Sequence, residues 1–119
     1  MELIPIYDDT APITCTIDRA DIPERLELLD RMRTTAERVE RTEHGLLLHF
    51  PPRDDVEADL RRFAVDEKRC CRFWGFAVDR TGERLTLRWD GPPDASDLVD
   101  QLLAALEGDE PIAAISGLL

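Results

Sequence analysis

The sequence predicts an α+β fold: a two-layer sandwich with helices packed on one face of an antiparallel sheet. Three features of its patterning say so. Runs of two-residue alternation come in pairs joined by turn residues, and runs with apolar residues every three or four positions lie between them. Their order reads β-α-β-β-α-β-β-α, and consecutive hairpins separated by helices favour such a sandwich. A ferredoxin-like variant with an added hairpin and helix fits the same order.

The elements follow from the residues in turn. Residues 1–12 read as irregular, with Pro5 and Pro12 as breakers. Ile13-Thr14-Cys15-Thr16-Ile17 alternates as a strand, with Ile13, Cys15 and Ile17 on one face. Asp21 is placed to cap a first helix, with Glu24 at the capping-box position and an inward stripe of Ile22, Leu26, Leu29 and Met32 ending near 33–35. Residues 37–50 form a hairpin with a polar first arm at 38–42, a turn at Glu43-His44-Gly45 and a strong strand from Leu46 to Phe50. Pro51 and Pro52 end that strand, because proline cannot donate to a ladder.

Asp54 then caps a second helix, again with a glutamate, Glu57, three residues on. Its stripe reads Val56, Leu60, Phe63, Ala64, Glu67, then Cys70 or Cys71. A second hairpin spans 73–90. Trp74, Phe76 and Val78 alternate on one arm and Leu85, Leu87 and Trp89 on the other, around a turn at Asp79-Arg80-Thr81-Gly82. A third helix, capped by Asp94 or Ser96, turns Leu98, Leu102, Ala105 and Leu106 inward and stops at Gly108. The apolar tail at 109–119 either docks on its own domain or joins an interface, a homodimer among the options.

Composition narrows the function. The 119 residues suit one domain, long enough to bury a core unaided. A 43% hydrophobic and 34% charged composition is an ordinary globular balance. No apolar run approaches the roughly 18 residues of a membrane span, and the start shows no secretory pattern, so a cytoplasmic protein is expected. The net charge is −11 and the arginines are interleaved with acids, which makes nucleic acid and anionic membrane poor partners. Three cysteines, an odd number, argue against a secreted disulfide framework.

The chemically unusual stretch is Asp66-Glu67-Lys68-Arg69-Cys70-Cys71-Arg72-Phe73-Trp74. Glu67 lies four residues after Phe63 and four before Cys71, so a carboxylate shares an otherwise apolar helix stripe. Buried alone it would be costly and its pKa would rise, so a metal, an arginine, a backbone donor or a substrate should compensate it. The plainer alternative is that Glu67 sits at a fraying helix end and reaches water.

Side chains of adjacent cysteines on a helix diverge by roughly 100°, so Cys70 and Cys71 cannot both face the core. A bond between them is disfavoured, since neighbouring Cα atoms lie about 3.8 Å apart against a usual 4.4–6.8 Å. The plainer reading makes one of them a small buried hydrophobe and the other incidental, with Cys15, between two isoleucines, a buried hydrophobe as well.

The sharper reading joins them. If the first strand lies beside the end of the second helix, Cys15, Cys70, Cys71 and Glu67 form a ligand set for a soft ion such as Zn(II), Cu(I) or Hg(II). Lys68, Arg69 and Arg72 would help keep thiolates deprotonated, while the negative end of the helix dipole opposes this. The leading expectation is therefore a cytoplasmic accessory protein binding a thiophilic metal or metalloid ion.

Two alternatives stand beside it. The first is a thiol-dependent enzyme or redox protein, its catalytic candidates being Cys70, Cys71 and Glu67. The second is a non-catalytic interaction module. His49, opposite Leu48 and Phe50, and His44, in a turn, are conceivable cysteine partners. Trp74, Phe76 and Trp89 either line an apolar pocket for a small molecule or form sheet core. No glycine-rich phosphate loop, H-E-x-x-H or G-x-S-x-G occurs.

The run from Asp66 to Phe76 resembles a pattern of small uncharacterised bacterial proteins in which E-x-x-C-C-x-F follows a helix and a C-T strand precedes it. Here Glu67, Cys70, Cys71 and Phe73 match the motif, and Cys15-Thr16 matches the strand. The resemblance covers roughly residues 13–107. Arg72 stands where the pattern often has proline. With no activity established for that group, the resemblance implies where the cluster lies and not what it does.

Overall fold

The computed structural model describes residues 22–108, the side chains of Ile22 and Cys70 excepted. The expected strand at 13–17, the start of the chain and the apolar tail lie outside the described residues. Within them the chain is an α+β sandwich, as the patterning predicts. Helix α1 (Ile22–Thr35) leads to β1 (Arg38–Arg41) and β2 (Gly45–Phe50), then α2 (Asp54–Cys70), β3 (Gly75–Thr81), β4 (Arg84–Asp90), a 3₁₀ turn at Pro93–Ala95 and α3 (Ser96–Glu107).

The strands form one antiparallel sheet in the order β1-β2-β4-β3. Registers such as Val39↔Leu48, Leu48↔Leu87 and Val78↔Leu87 bring the alternating apolar residues of all four strands to one face. There Leu46, Leu48, Phe50, Leu85, Leu87 and Trp89 are buried. They share a single core with Leu28, Leu29 and Met32 of α1, Val56, Leu60 and Phe63 of α2, and Val99, Leu102, Ala105 and Leu106 of α3. The opposite face carries Glu40, His49, Thr86 and Asp79, the polar side expected of an antiparallel sheet wet on one face.

Local details differ from the sequence expectations. On α1 the buried residues are Arg25, Leu28, Leu29 and Met32, at spacings of three, four and seven from Arg25, while Leu26 is only half-buried. The stripe is rotated because Arg25 has a buried partner. Helix α2 starts from Arg53, which makes no side-chain cap bond. Asp54 is its first helical residue, and Glu57 instead accepts from Arg61 and Arg80. Asp54, Asp55 and Glu57 lie in its first turn, where their negative charge complements the helix dipole. Helix α3 likewise starts from Ala95 rather than Asp94 or Ser96, because the preceding 3₁₀ turn takes up residues 93–95.

The second hairpin is tighter than predicted. Thr81 pairs with Arg84, which leaves Gly82-Glu83 as a two-residue turn. Gly82 has φ +61°, and no described non-glycine residue has a positive φ. A positive first and negative second central φ is the II′ pattern that matches the strand twist. No described helix is long and apolar enough to cross a membrane.

Candidate functional site

The site is built where α2 ends. Its inward stripe of Val56, Leu60, Phe63, Glu67 and Cys71 is as expected, apart from a half-buried Ala64. The last turn closes on Cys71, whose N–H donates to the Glu67 carbonyl at 2.7 Å, and the Trp74 N–H then donates to the Cys71 carbonyl at 3.2 Å. Lys68 caps the end, its Nζ donating to the Arg72 carbonyl at 2.5 Å and the Trp74 carbonyl at 2.7 Å. These bonds satisfy acceptors that a helix terminus would otherwise leave open.

This closure keeps Glu67 from fraying into water: it is 4% exposed. The group that compensates it is Arg25 of α1, itself 8% exposed, whose Nη1 donates to Glu67 Oε2 in a buried ion pair. Burial pushes the Glu67 carboxyl above the ordinary glutamate range, and the charge and hydrogen bond of Arg25 pull it part of the way back. Arg25 is the functional-site residue that sequence reasoning missed. Its one signal was a position three and four residues before Leu28 and Leu29.

Cys71 is 1% exposed and disulfide-bonded. Its Sγ lies 3.5 Å from Glu67 Oε1. A disulfide sulfur carries no proton, so this approach is a contact in the oxidised state. In the reduced state the same geometry lets the thiol donate to the carboxylate. A thiolate formed there would stand beside a carboxyl group able to hold its proton and near a guanidinium able to offset its charge.

Of the four predicted ligands, the described residues bring together Glu67 and Cys71. The side chains of Cys15 and Cys70 lie outside them. Among the described residues no group of three or more His, Cys, Asp or Glu could hold a metal ion.

The predicted apolar pocket is filled. Trp74 and Trp89 are each 2% exposed and meet edge to face with centroids 5.4 Å apart. Phe63 and Phe76 pack on Trp89 at 5.3 Å each, and Phe73 on Trp74 at 4.4 Å. These rings are core. His49 is taken up on the wet sheet face, its Nε2 2.9 Å from Glu40 Oε2. His44 stays in the β1–β2 turn, where its carbonyl accepts from the Gly91 N–H at 2.8 Å. Among the described residues, a cavity of about 290 Å³ opens beside His49, Arg38 and Arg84, and another of about 330 Å³ beside His44, Arg41 and Pro92.

No family model matches the chain, and neither does any curated protein or solved structure.

Proposed function

We propose that this chain is a thiol-based redox protein whose working group is the Cys71 disulfide, run as a reversible dithiol–disulfide couple with Glu67 as its proton store. The observation that carries the reading is the buried carboxylate 3.5 Å from the sulfur of a disulfide-bonded cysteine. Reducing a disulfide consumes two electrons and two protons. A buried sulfur can return as a thiol only if a proton reaches it, and a carboxyl group with a raised pKa is suited to hold one.

In the cytoplasm, the compartment expected from the sequence, disulfides are kept transient and serve catalysis or sensing. Of the two other cysteines the reading takes Cys15 as partner, because a bond to Cys70 would join Cα atoms closer than disulfide geometry favours.

The test is a thiol count after equilibration in dithiol–disulfide buffers of graded potential. Wild-type protein should gain two thiols in one two-electron step, and Glu67→Gln should slow the approach to equilibrium at neutral pH. Non-reducing peptide mapping should join the peptides of Cys15 and Cys71. Three freely titrating thiols across the whole range of buffers would remove the reading.

The same sulfurs, once reduced, support a second function: capture of a thiophilic ion such as Hg(II), Cu(I) or Zn(II). Two sulfurs within bonding distance form a donor pair that soft ions favour. This reading stands second because Glu67, the fourth predicted ligand, is engaged by Arg25. Native mass spectrometry of the reduced protein tests it, with stoichiometric uptake expected in wild type and none in Cys71→Ser.

A further inference from the structure

Resting on the thiol–disulfide reading, we infer that the thiol exchanging with this site is a small anionic one carrying carboxylate groups, drawn in by Lys68, Arg69 and Arg72. The ground is an imbalance in how the chain neutralises its cations. Elsewhere most described arginines of this acidic protein are ion-paired, among them Arg31 with Asp59, Arg61 with Glu57, and Arg80 with Asp54 and Glu57, and Arg84 is the exception. Arg69 and Arg72 are both exposed, and neither forms an ion pair with a described residue. Lys68 is exposed too, and among the described residues its Nζ bonds only carbonyls, with no carboxylate to offset its charge.

The two acids of the same segment are already spoken for. Asp66 faces Arg62 at 3.7 Å, and Glu67 is buried against Arg25. Among the described residues a cationic collar of Lys68, Arg69 and Arg72 therefore flanks Cys71 along a chain of net charge −11. At physiological salt, charges farther than about 8 Å are largely screened. An approaching ion feels this collar rather than the distant acids.

The exchange balances with the incoming thiol as reductant. Its thiolate attacks the sulfur bonded to Cys71, the S–S bond breaks, and Cys71 leaves as a thiolate that takes a proton from Glu67 or solvent. Cys71 is the leaving sulfur because it is too buried to be attacked. A second small thiolate then attacks the small-molecule sulfur of the mixed disulfide and expels the protein thiolate. Two protein thiols and one small disulfide result, and two electrons have passed to the protein.

The experiment compares the reduction rate of the folded wild-type protein by 3-mercaptopropionate, 2-mercaptoethanol and cysteamine, each expressed per thiolate. The anionic thiol should be fastest, about tenfold ahead of the cationic one at low salt, with the gap closing as salt rises. In an Arg69→Glu/Arg72→Glu variant with unchanged circular dichroism the order should invert. Equal rates for the three thiols, or the wild-type order retained in the variant, would overturn the anionic preference while leaving the redox couple standing. A disulfide inert to all three until the chain is denatured would overturn both.

Discussion

Arg25 and Glu67, 42 residues apart in the chain, meet as a buried ion pair that ties α1 to the end of α2. Such a pair gains Coulomb energy in a poorly screened interior but loses the hydration of both ions, so its net worth is small while the cost of breaking it is large. Arg25→Met and Glu67→Leu should each destabilise the chain by about 3–5 kcal/mol, since each strands one buried charge. The double variant should recover most of that loss. Urea unfolding of the four proteins measures it, and strictly additive losses would mean that the pair is not coupled.

The same pair sets a pH dependence. Burial raises the folded-state pKa of Glu67 above its ordinary value of 4.5. The native state then holds this proton more tightly than the unfolded chain does. Its contribution to stability is complete below about pH 4.5 and is lost as pH rises through the folded-state value. Glu40, held low by the hydrogen bond from His49, and Asp55 and Glu57, held low by Arg53 and Arg61, act in the opposite sense. Their contributions persist in neutral solution and disappear in acid. They remain in a Glu67→Gln variant and cancel in the comparison. The stability of Glu67→Gln relative to wild type should therefore improve steadily from pH 4 to pH 8 in denaturant titrations, and a flat difference would contradict a raised Glu67.

How far the sequence discloses all this depends on the range of each interaction. The alternation of Leu46, Leu48 and Phe50 with Leu85, Leu87 and Trp89 suffices to place the strands, because burial on one sheet face writes itself into a period of two. The stripe from Val56 to Cys71 discloses α2 through the helical period and sets Glu67 on its inward face, but a fraying helix end that lets Glu67 reach water is the plainer expectation from sequence alone. The answer to that burial is not local. Arg25 lies on another helix, and a lone arginine among Pro23, Glu24, Leu26 and Glu27 is marked only by its spacing to Leu28 and Leu29, which does not name its partner. The capping residues mislead because Asp54, Asp94 and Ser96 can serve a helix start by charge or hydrogen bond from several adjacent positions. Which position is taken depends on the strand before it. The tight turn at Gly82 is set by the Thr81↔Arg84 register, itself fixed by the core face of the whole sheet.

Trp89 combines the fullest aromatic packing in the core with a polar fault. Its Nε1 is buried with no acceptor among the described residues, which forfeits a hydrogen bond the group makes to water when unfolded. Trp89→Phe removes that donor but also shrinks a ring held by Phe63, Phe76 and Trp74. The two effects oppose each other, and the net change should stay within about 1.5 kcal/mol of wild type. Leu60→Ala has no such offset. At 0% exposure it leaves a cavity in the middle of α2's inward face and should cost about 2–5 kcal/mol. Thermal and urea unfolding of the two variants checks the ranking, and a Trp89→Phe loss as large as that of Leu60→Ala would mean that packing dominates.

Two glycines of the sheet separate close approach from backbone strain. A Cβ on Gly45 would stand 1.9 Å from the Trp89 carbonyl oxygen and 2.8 Å from the Asp90 Cα, both main-chain atoms that cannot turn aside. Gly45 pairs with Asp90 at the end of the β2–β4 ladder, so Gly45→Ala must pry the two central strands apart or shift their register. A loss of about 3 kcal/mol or more is expected. Gly82 is the reverse case: nothing lies within 4 Å of a Cβ there, but φ is +61°. Gly82→Ala should cost only the left-handed penalty of about 1–2 kcal/mol, and Gly82→Asn less, because asparagine tolerates that region. If alanine costs nothing at 82, the turn does not hold a positive φ there. If alanine is tolerated at 45, the strands do not approach as closely as their pairing requires.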